Sequence, residues 1–360
     1  MNYTYTTIIA LAFSILVCHA ADKDLPEGIS KAYYHEIGIT SMTDAAVAYL
    51  NQPELVEREG LRLSFGRGIT DADLARLKEV PWATKLIFSG VQEPVKVEHL
   101  RPCTNLMSVK FARLEVVDLA ALKDFPKLEV VTLDAVKGLA DLEWATGLTQ
   151  INELNLYGLE GITDYSPLGG LTNITSLSMN AGADTTTEML APLGKLVNLE
   201  KLSFYSYPCA DISPFATCVN LKDVTLNKAK SLVDLTAAAK WKRVTSLNLR
   251  STAVADIKPL AACEKLAGLD LKDSAVTNLA PLAKLSNLMS LNVSGTAVTD
   301  LRPLAKLPSL YSLDLRGSAV TSIAPLKSLT TLKSLYVSDG VSAGQRAALA
   351  KALPDLKIKD

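Results

Sequence analysis

The sequence predicts an α/β solenoid with a parallel β-sheet on the concave face, short helical or 3-10 returns on the convex face, and helical caps at both ends. Three observations predict this fold: apolar residues recur at a 22-residue step, each recurrence contains a short segment with the period of two typical of a β-strand, and a Pro-Leu pair follows at a constant distance. Such an array can bury the core of a 360-residue chain because each repeat contacts only its neighbours.

The repeat is clearest from Lys242 onward, where four columns keep the same register. The columns are Val244, Leu266, Leu288, Leu310 and Leu332; Leu247, Leu269, Leu291, Leu313 and Leu335; Leu249, Leu271, Val293, Leu315 and Val337; and Pro259, Pro281, Pro303 and Pro325. The L-x-L segment predicts strands that stack in parallel about 4.8 Å apart. The Pro-Leu segment predicts the convex return, since proline needs no partner in a strand ladder.

The unit reads L-x-x-L-x-L-x-x-[ST]-x-V-x-x-[IL]-x-P-L-x-x-[LC] and resembles the leucine-rich repeat, most closely the 22-residue bacterial type of internalins. The resemblance implies recognition of a partner through the concave face. One position departs from the family, which usually has Asn three residues after the second strand leucine. This sequence has Thr252, Ser274, Thr296 and Ser318 there, and earlier units carry other residues. Hydroxyls bond backbone groups more weakly than an amide, and hydrophobic residues such as Val136 and Leu159 in the earlier units cannot bond them at all, so we expect the N-terminal half to be less regular.

The register continues toward the N-terminus with looser spacing. The second leucine position is followed through Leu86, Val109, Val131, Leu154, Leu177, Leu202 and Val224. This predicts about 12 strands, with Leu61 and Leu63 as a candidate for a thirteenth. The predicted organisation is a signal peptide at 1–20, an N-terminal cap at 21–60, leucine-rich repeats at 61–340 and a C-terminal cap at 341–360.

Both caps are predicted to contain a helix. In the first, the pair Thr43-Asp44 is a typical helix start and predicts a helix that runs to Leu50. In the second, strong helix formers follow Ser342, and Pro354 ends the helix before a last short strand at 356–358.

The first twenty residues have the pattern of a secretory signal peptide. A polar start is followed by an apolar run of ten residues from Ile8 to Val17, with small residues at the −3 and −1 positions if cleavage follows Ala20. A buried N-terminal helix and a lipid-anchored Cys18 are the alternatives. The pattern predicts a secreted protein that is extracellular or lies in the periplasm or cell envelope. The net charge of −1 excludes a long-range field that would attract nucleic acid or an anionic membrane.

Tyrosines interrupt a predicted concave face that is otherwise small and polar. Tyr157 and Tyr205 lie two predicted strands apart, about 9.5 Å, with Asn180 between them and an enlarged loop after Asn180. Tyr207 follows on the same edge, and Asn155 lies in the adjoining middle column. Tyrosine offers a large contact area with few rotors, so these residues are the predicted recognition patch. The alternative is that Tyr157 and Tyr205 stack sideways to cover the strands.

A second departure from the polar pattern is a set of cations. Arg250, Lys272 and Arg316 follow three strands, beside Asp270 and Asp314. They are candidates for binding an acidic partner or a glycan. The favoured alternative is a solvated cross-strand charge ladder in which opposite charges satisfy each other.

The cysteines after the signal peptide fit the core. Cys103, Cys218 and Cys263 occupy the last apolar column of their repeats, and Cys209 takes the place held elsewhere by Val254. This predicts buried thiols that act as small hydrophobic groups. A disulfide between Cys209 and Cys218 within one repeat remains open.

No metal-ligand cluster, nucleophile motif or phosphate-binding glycine loop is present in the sequence. The sequence therefore favours a secreted, non-enzymatic binding protein that recognises a protein partner through the concave face and needs no cofactor. The alternatives are a structural component of the cell envelope and a carbohydrate-binding protein, with a glycan as the second candidate ligand. A membrane span and nucleic-acid binding are not expected, and a monomer is.

Overall fold

A computed structural model of the protein describes residues 25–360, which form two compact units, one ending at Gly158 and one spanning Leu159–Asp360. The predicted signal peptide lies outside the described residues. Apart from an antiparallel pair at the start of the first unit, each unit consists of short parallel strands that are joined by 3-10 or short α-helical returns. This is the architecture that the repeat pattern predicts.

The first unit starts with an antiparallel hairpin and continues as a parallel ladder. Its strands are β1 (Ile29–Tyr33), β2 (Glu36–Ile39), β3 (Arg62–Phe65), β4 (Lys85–Ser89), β5 (Val95–Lys96), β6 (Ser108–Ala112), β7 (Val116–Val117), β8 (Val130–Asp134) and β9 (Glu153–Tyr157). β1 pairs with β2, the ladder runs β2-β3-β4-β6-β8-β9, and β5 pairs with β7 in a separate sheet. Ile37 lies opposite Leu63, so the ladder begins within the segment predicted as a cap. Neither β1 nor β2 follows from the repeat pattern.

The returns of the first unit are short helices with polar N-caps. They are α1 (Asp44–Leu50), α2 (Pro53–Val56) and α3 (Asp71–Ala75), with 3-10 turns at Arg76–Glu79, Val97–Leu100, Leu119–Asp124 and Glu143–Ala145. The predicted start of α1 is confirmed, because the Thr43 hydroxyl accepts a hydrogen bond from the Ala46 amide at 3.1 Å. At α3, Thr70 and Asp73 satisfy each other's backbone amides in a capping box.

Aromatic side chains fill the first unit's core beneath β3, β4 and β6. The rings of Phe65 and Phe88 stack with centroids 5.1 Å apart, and those of Phe88 and Phe111 stack at 5.4 Å. All three side chains are fully buried. The stack arises because each phenylalanine takes the same strand position in successive repeats, and Phe88 therefore contacts a ring on both sides.

The second unit is a parallel ladder throughout, with the register that the repeat predicts. Its strands are β10 (Ser176–Met179), β11 (Lys201–Phe204), β12 (Asp223–Thr225), β13 (Ser246–Asn248), β14 (Gly268–Asp270), β15 (Ser290–Asn292), β16 (Ser312–Asp314), β17 (Ser334–Tyr336) and β18 (Lys357–Lys359). The second leucine positions lie opposite one another from Leu202 to Leu335. The last strand, β18, extends the ladder at Ile358, as predicted.

The returns of the second unit are mainly 3-10 turns that open with the repeated proline. They lie at Ser166–Gly170, Ala191–Lys195, Ser213–Phe215, Thr236–Lys240, Lys258–Ala262, Ala280–Leu282, Arg302–Leu304 and Ala324–Ser328, with the short helix α4 (Thr187–Leu190) before the second. The C-terminal helix α5 (Ala343–Ala352) begins after its cap Ser342, whose hydroxyl accepts from Gln345. No helix within residues 25–360 has the length and hydropathy to cross a bilayer.

Hydroxyl groups partly replace the asparagine that the family has after the strand. Thr252 donates to the Leu249 carbonyl at 2.8 Å and Thr296 donates to the Val293 carbonyl at 2.6 Å, both in buried positions. The Ser274 hydroxyl is buried and has no hydrogen-bond partner within residues 25–360. The expected substitution of hydroxyl for amide is thus confirmed at the two threonines and does not extend to Ser274.

Candidate functional site

The strands of both units alternate between buried and half-exposed side chains. In β9 the leucines Leu154 and Leu156 are buried, and in β11 Leu202 and Phe204 are buried, while the residues between them face outward. We refer to the outward side of these strands as the open face. Because strand side chains alternate between the two sides of a sheet, the columns predicted for recognition lie on the open face within each unit.

In the first unit, the two predicted recognition residues lie on β9. Asn155 donates hydrogen bonds from its amide to the Thr132 hydroxyl at 3.2 Å and to the Glu153 carboxylate at 2.8 Å. Tyr157 ends the strand and is half-buried. The amide hydrogens of Asn155 are therefore used by its neighbours on the open face, so it can offer a ligand little as a hydrogen-bond donor.

In the second unit, the three predicted residues differ in their environment. Tyr205 follows β11, is 47% exposed, and has its backbone amide bonded to the Met179 carbonyl at 3.0 Å. Asn180 follows β10 and is half-buried. Tyr207 is only 1% exposed, so its prediction as a surface residue is wrong. Its ring packs edge-on against Phe204 at 4.9 Å, and its hydroxyl donates to the Asp211 carbonyl at 2.8 Å.

The enlarged loop after Asn180 is connected to the preceding and the following repeat by polar contacts. The Thr185 hydroxyl is buried and lies 3.3 Å from that of Tyr165, while the Cys209 thiol contacts the Thr185 carbonyl at 3.5 Å. Thr187 donates to the Asp211 carboxylate at 3.2 Å. The loop and Tyr207 thus pack together, because both form hydrogen bonds with Asp211.

The three predicted cations, Arg250, Lys272 and Arg316, differ in whether they form an ion pair. Arg316 forms an ion pair with Asp314 at 2.5 Å, and its guanidinium lies 4.3 Å from the Tyr336 ring centroid. Lys359 approaches the same ring at 5.1 Å. Within residues 25–360, neither Arg250 nor Lys272 forms an ion pair. Arg316 is therefore paired along its own strand rather than across strands, and the predicted charge ladder does not form.

The Asn and Asp residues of the regular strands have a structural role that was not predicted from the sequence. The side chains of Asn248, Asp270, Asn292 and Asp314 each accept a hydrogen bond from the backbone amide two residues later, at 2.9 to 3.0 Å. These contacts are Asx turns that fix the end of each strand. The sequence contained the evidence for these turns, because Asn or Asp recurs there at a 22-residue step. That recurrence indicates a turn as readily as it indicates a binding surface.

A pair of exposed apolar residues in the second unit also escaped prediction. Met289 and Tyr311 precede β15 and β16, are 52% and 53% exposed, and are joined by a backbone hydrogen bond of 2.8 Å. Most other repeats have a polar residue or alanine at this position. Within residues 25–360, no group of three or more His, Cys, Asp or Glu residues could hold a metal ion.

All four described cysteines are buried and free, so the alternative of a disulfide between Cys209 and Cys218 is not realised. Burial raises the pKa of Cys103 to about 12 and those of Cys218 and Cys263 to about 11. Burial also raises the pKa of Cys209. The thiolate is the reactive form, so these thiols are doubly protected in the native protein.

We expect the four buried cysteines to resist alkylation by iodoacetamide in the native protein at mildly alkaline pH, and to react fully in guanidinium chloride. Peptide mass spectrometry at Cys103, Cys209, Cys218 and Cys263 measures both states. Rapid native labelling of any one of them would show that its repeat opens locally or that its thiol is accessible.

No protein-family model matches the chain, and no curated protein matches it. An internalin of Listeria monocytogenes (inlF) has a similar solved structure, with a TM-score of 0.65 at 19% identity, covering 98% of this chain and 94% of the internalin. The plant peptide hormone receptor RGFR1 in complex with RGF2 gives 0.56 at 14%, covering 87% of this chain and 52% of the receptor. The ectodomain of the Arabidopsis thaliana receptor kinase GASSHO1/SCHENGEN3, in complex with CASPARIAN STRIP INTEGRITY FACTOR 2, gives 0.51 at 16%, covering 84% and 42%.

These structures share the architecture of this chain at identities that are informative about fold alone. The agreement extends over nearly the full length of the internalin, and over about half of the length of each plant receptor. Together with the 22-residue register of the ladders, it establishes that this chain has the leucine-rich-repeat fold found in the internalin.

Proposed function

We propose that this protein is a secreted, non-enzymatic binding protein that recognises a protein partner through the open face of its leucine-rich-repeat sheet. The observation that carries the proposal is Tyr205, a residue that is 47% exposed on the open face of the second unit. Two residues earlier on the same strand lies Ser203, which is opposite Thr225 on β12, so the residues nearby on this face are small and polar. A large, rigid aromatic group beside small polar neighbours is the composition of a binding hot spot.

The fold supports this proposal by analogy. The two plant receptors of the same fold have solved structures in complex with RGF2 and with CASPARIAN STRIP INTEGRITY FACTOR 2. Fold alone does not determine function, so the argument depends on the exposed tyrosine. Export is proposed from the signal-peptide pattern at 1–20, and it would place the protein outside the cell or in the periplasm or cell envelope.

We expect the Tyr205→Ala variant to bind its partner at least tenfold more weakly than the unchanged protein, because loss of a hot-spot tyrosine typically costs about 2 kcal/mol or more. The partner is first captured on the immobilised protein from envelope extracts and from neighbouring cells, and is identified by mass spectrometry. The Kd of each variant for that purified partner is then measured.

The matched control is Tyr311→Ala, which removes a tyrosine of similar exposure at the opposite ends of the strands. A partner lost by Tyr205→Ala and retained by Tyr311→Ala supports the proposal. A partner retained equally by both variants would contradict the assignment of Tyr205. Failure to capture any protein would contradict protein recognition and favour a glycan ligand or self-association in the envelope.

A further inference from the structure

A cavity in the first unit brings cations together at the carboxyl ends of neighbouring strands. It has a volume of about 540 Å³ and lies where β3, β4, β6 and β8 run into their following turns. Its lining residues are Arg67, Ser89, Gly90, Val91, Gln92, Arg113 and Lys137. Three of these side chains carry a positive charge, and no carboxylate lines the cavity.

The arginines of this cavity differ from the others in the first unit. The described part of that unit contains six arginines, of which Arg58, Arg62, Arg76 and Arg101 donate to a carbonyl or carboxylate. The remaining two, Arg67 and Arg113, make no side-chain hydrogen bond or ion pair within residues 25–360, and both line the cavity. The guanidinium groups that lack protein partners are thus concentrated at one place.

Within residues 25–360, Arg67, Arg113 and Lys137 form no ion pair with a neighbouring carboxylate. Asp134 is paired with Lys110 at 3.8 Å, and the Glu93 carboxylate accepts the Asp71 amide at 2.7 Å. Glu115 pairs through its backbone with Lys137 and does not line the cavity. The three cations that line the cavity are therefore available for an anionic ligand.

The repeat places these cations side by side. Arg113 directly follows β6, and the amide of Gly90, which directly follows β4, donates to the Ala112 carbonyl at 2.9 Å. Arg67 follows β3 and Lys137 comes three residues after β8. Successive strands lie about 4.8 Å apart, so charges at strand ends converge on one ligand-sized space. The Ser89 hydroxyl and the Gln92 amide add neutral hydrogen-bond donors.

We propose that this cavity binds the phosphate group of a small phosphorylated molecule. Guanidinium groups match tetrahedral oxyanions through paired N–H donors, and lysine adds a point charge. Three cations exceed what a singly charged carboxylate requires and suit a dianion. The volume lies within the range of small-molecule sites, which leaves room for the group that carries the phosphate. This site is independent of the partner surface at Tyr205.

Isothermal titration of the full chain with inorganic phosphate, glucose 6-phosphate and acetate tests the proposal. We expect both phosphates to bind, acetate to bind at least tenfold more weakly, and affinity to fall as salt is added, since the interaction is electrostatic. Tighter binding of glucose 6-phosphate than of inorganic phosphate would identify an organic phosphate as the ligand, and equal affinity would identify the free ion.

Arg67→Gln and Arg113→Asn are each expected to weaken phosphate binding about tenfold or more, because each removes a charged hydrogen-bond donor. Asparagine is chosen at Arg113 because φ there is +56°, a left-handed conformation that asparagine tolerates. The control is Lys123→Gln, an exposed cation of the same unit that does not line the cavity. All three side chains are exposed, so thermal unfolding should show native stability in each variant.

The proposal is overturned by absence of phosphate binding at millimolar concentration, by acetate binding as tightly as phosphate, or by cavity variants that bind as well as Lys123→Gln. Should one cavity variant unfold, Lys137→Gln provides the same test from a third strand.

Discussion

Replacing Phe88 with alanine is expected to lower the free energy of unfolding by about 3–5 kcal/mol, the range for truncation of a buried aromatic residue. Phe88 is fully buried and stacks on Phe65 and Phe111 at 5.1 and 5.4 Å. In a repeat array, stability depends on the interfaces between neighbouring repeats, and this ring belongs to two of them. Urea unfolding, followed by circular dichroism and tryptophan fluorescence, measures the change.

Two further variants separate the loss of ring stacking from the loss of buried volume and from the effect of an exposed substitution. Phe88→Leu keeps most of the buried volume and loses the ring stacking, which is worth about 0.5–1.5 kcal/mol for each aromatic pair. Met107→Ala removes a side chain of the same unit that is 37% exposed, and should change stability by less than about 0.5 kcal/mol. If Phe88→Ala were no more destabilising than Met107→Ala, the stacked core of the first unit would be wrong.

Replacing Tyr207 with alanine is expected to cost the second unit about 3–5 kcal/mol, again as loss of a buried aromatic side chain. Tyr207→Phe removes only the hydroxyl, which donates to the Asp211 carbonyl at 2.8 Å. This variant should lower the free energy of unfolding by about 0.5–3 kcal/mol, and the loss is smaller if that carbonyl finds another donor. Urea denaturation measures both. A negligible effect of Tyr207→Ala would place this residue on the surface and return it to the recognition patch.

The same residue should make the protein sensitive to alkali. Burial raises the pKa of the Tyr207 phenol, with smaller contributions from Cys209 and Asp211. The folded protein thus favours the neutral phenol, and this stabilisation is complete below the unfolded pKa of about 10 and is lost as the pH rises above it. Tyr207→Phe should therefore lose less stability between neutral pH and pH 11 than the unchanged protein does. Parallel losses would contradict this role.

The three cations show that a recurring charge in the sequence does not predict which ion pairs form. Arg250, Lys272 and Arg316 occupy equivalent positions in the repeat, and the sequence suggested that they act together. In the structure Arg316 is held by Asp314 and covers Tyr336, whereas Arg250 and Lys272 have no ion pair within the described residues. Equivalent positions in a repeat share a backbone conformation. The contacts of their side chains, however, depend on which residues the neighbouring repeat places beside them. Arg67, Arg113 and Lys137 were not singled out, because they occupy turns whose lengths differ.

The amino-acid sequence was sufficient to predict the parallel ladder of each unit, from Leu86 to Leu154 and from Leu177 to Leu335, the proline-led returns, and the starts of α1 and α5. It could do so because apolar side chains at a constant step must face one core, and a shift of one residue in a strand would turn them outward. The buried thiols followed from the same columns.

The burial of Tyr207 could have been predicted in the same way, because the equivalent positions Val136 and Thr252 are buried and also follow a left-handed residue, as Tyr207 follows Ser206. The β1-β2 hairpin before the first repeat, and the meeting of Arg67 and Arg113 at one cavity, became evident in the folded protein alone. Each of these depends on contacts between residues distant in sequence or on an irregular turn. A periodic pattern specifies which side of a strand is buried, and it contains no information on where such turns direct their side chains.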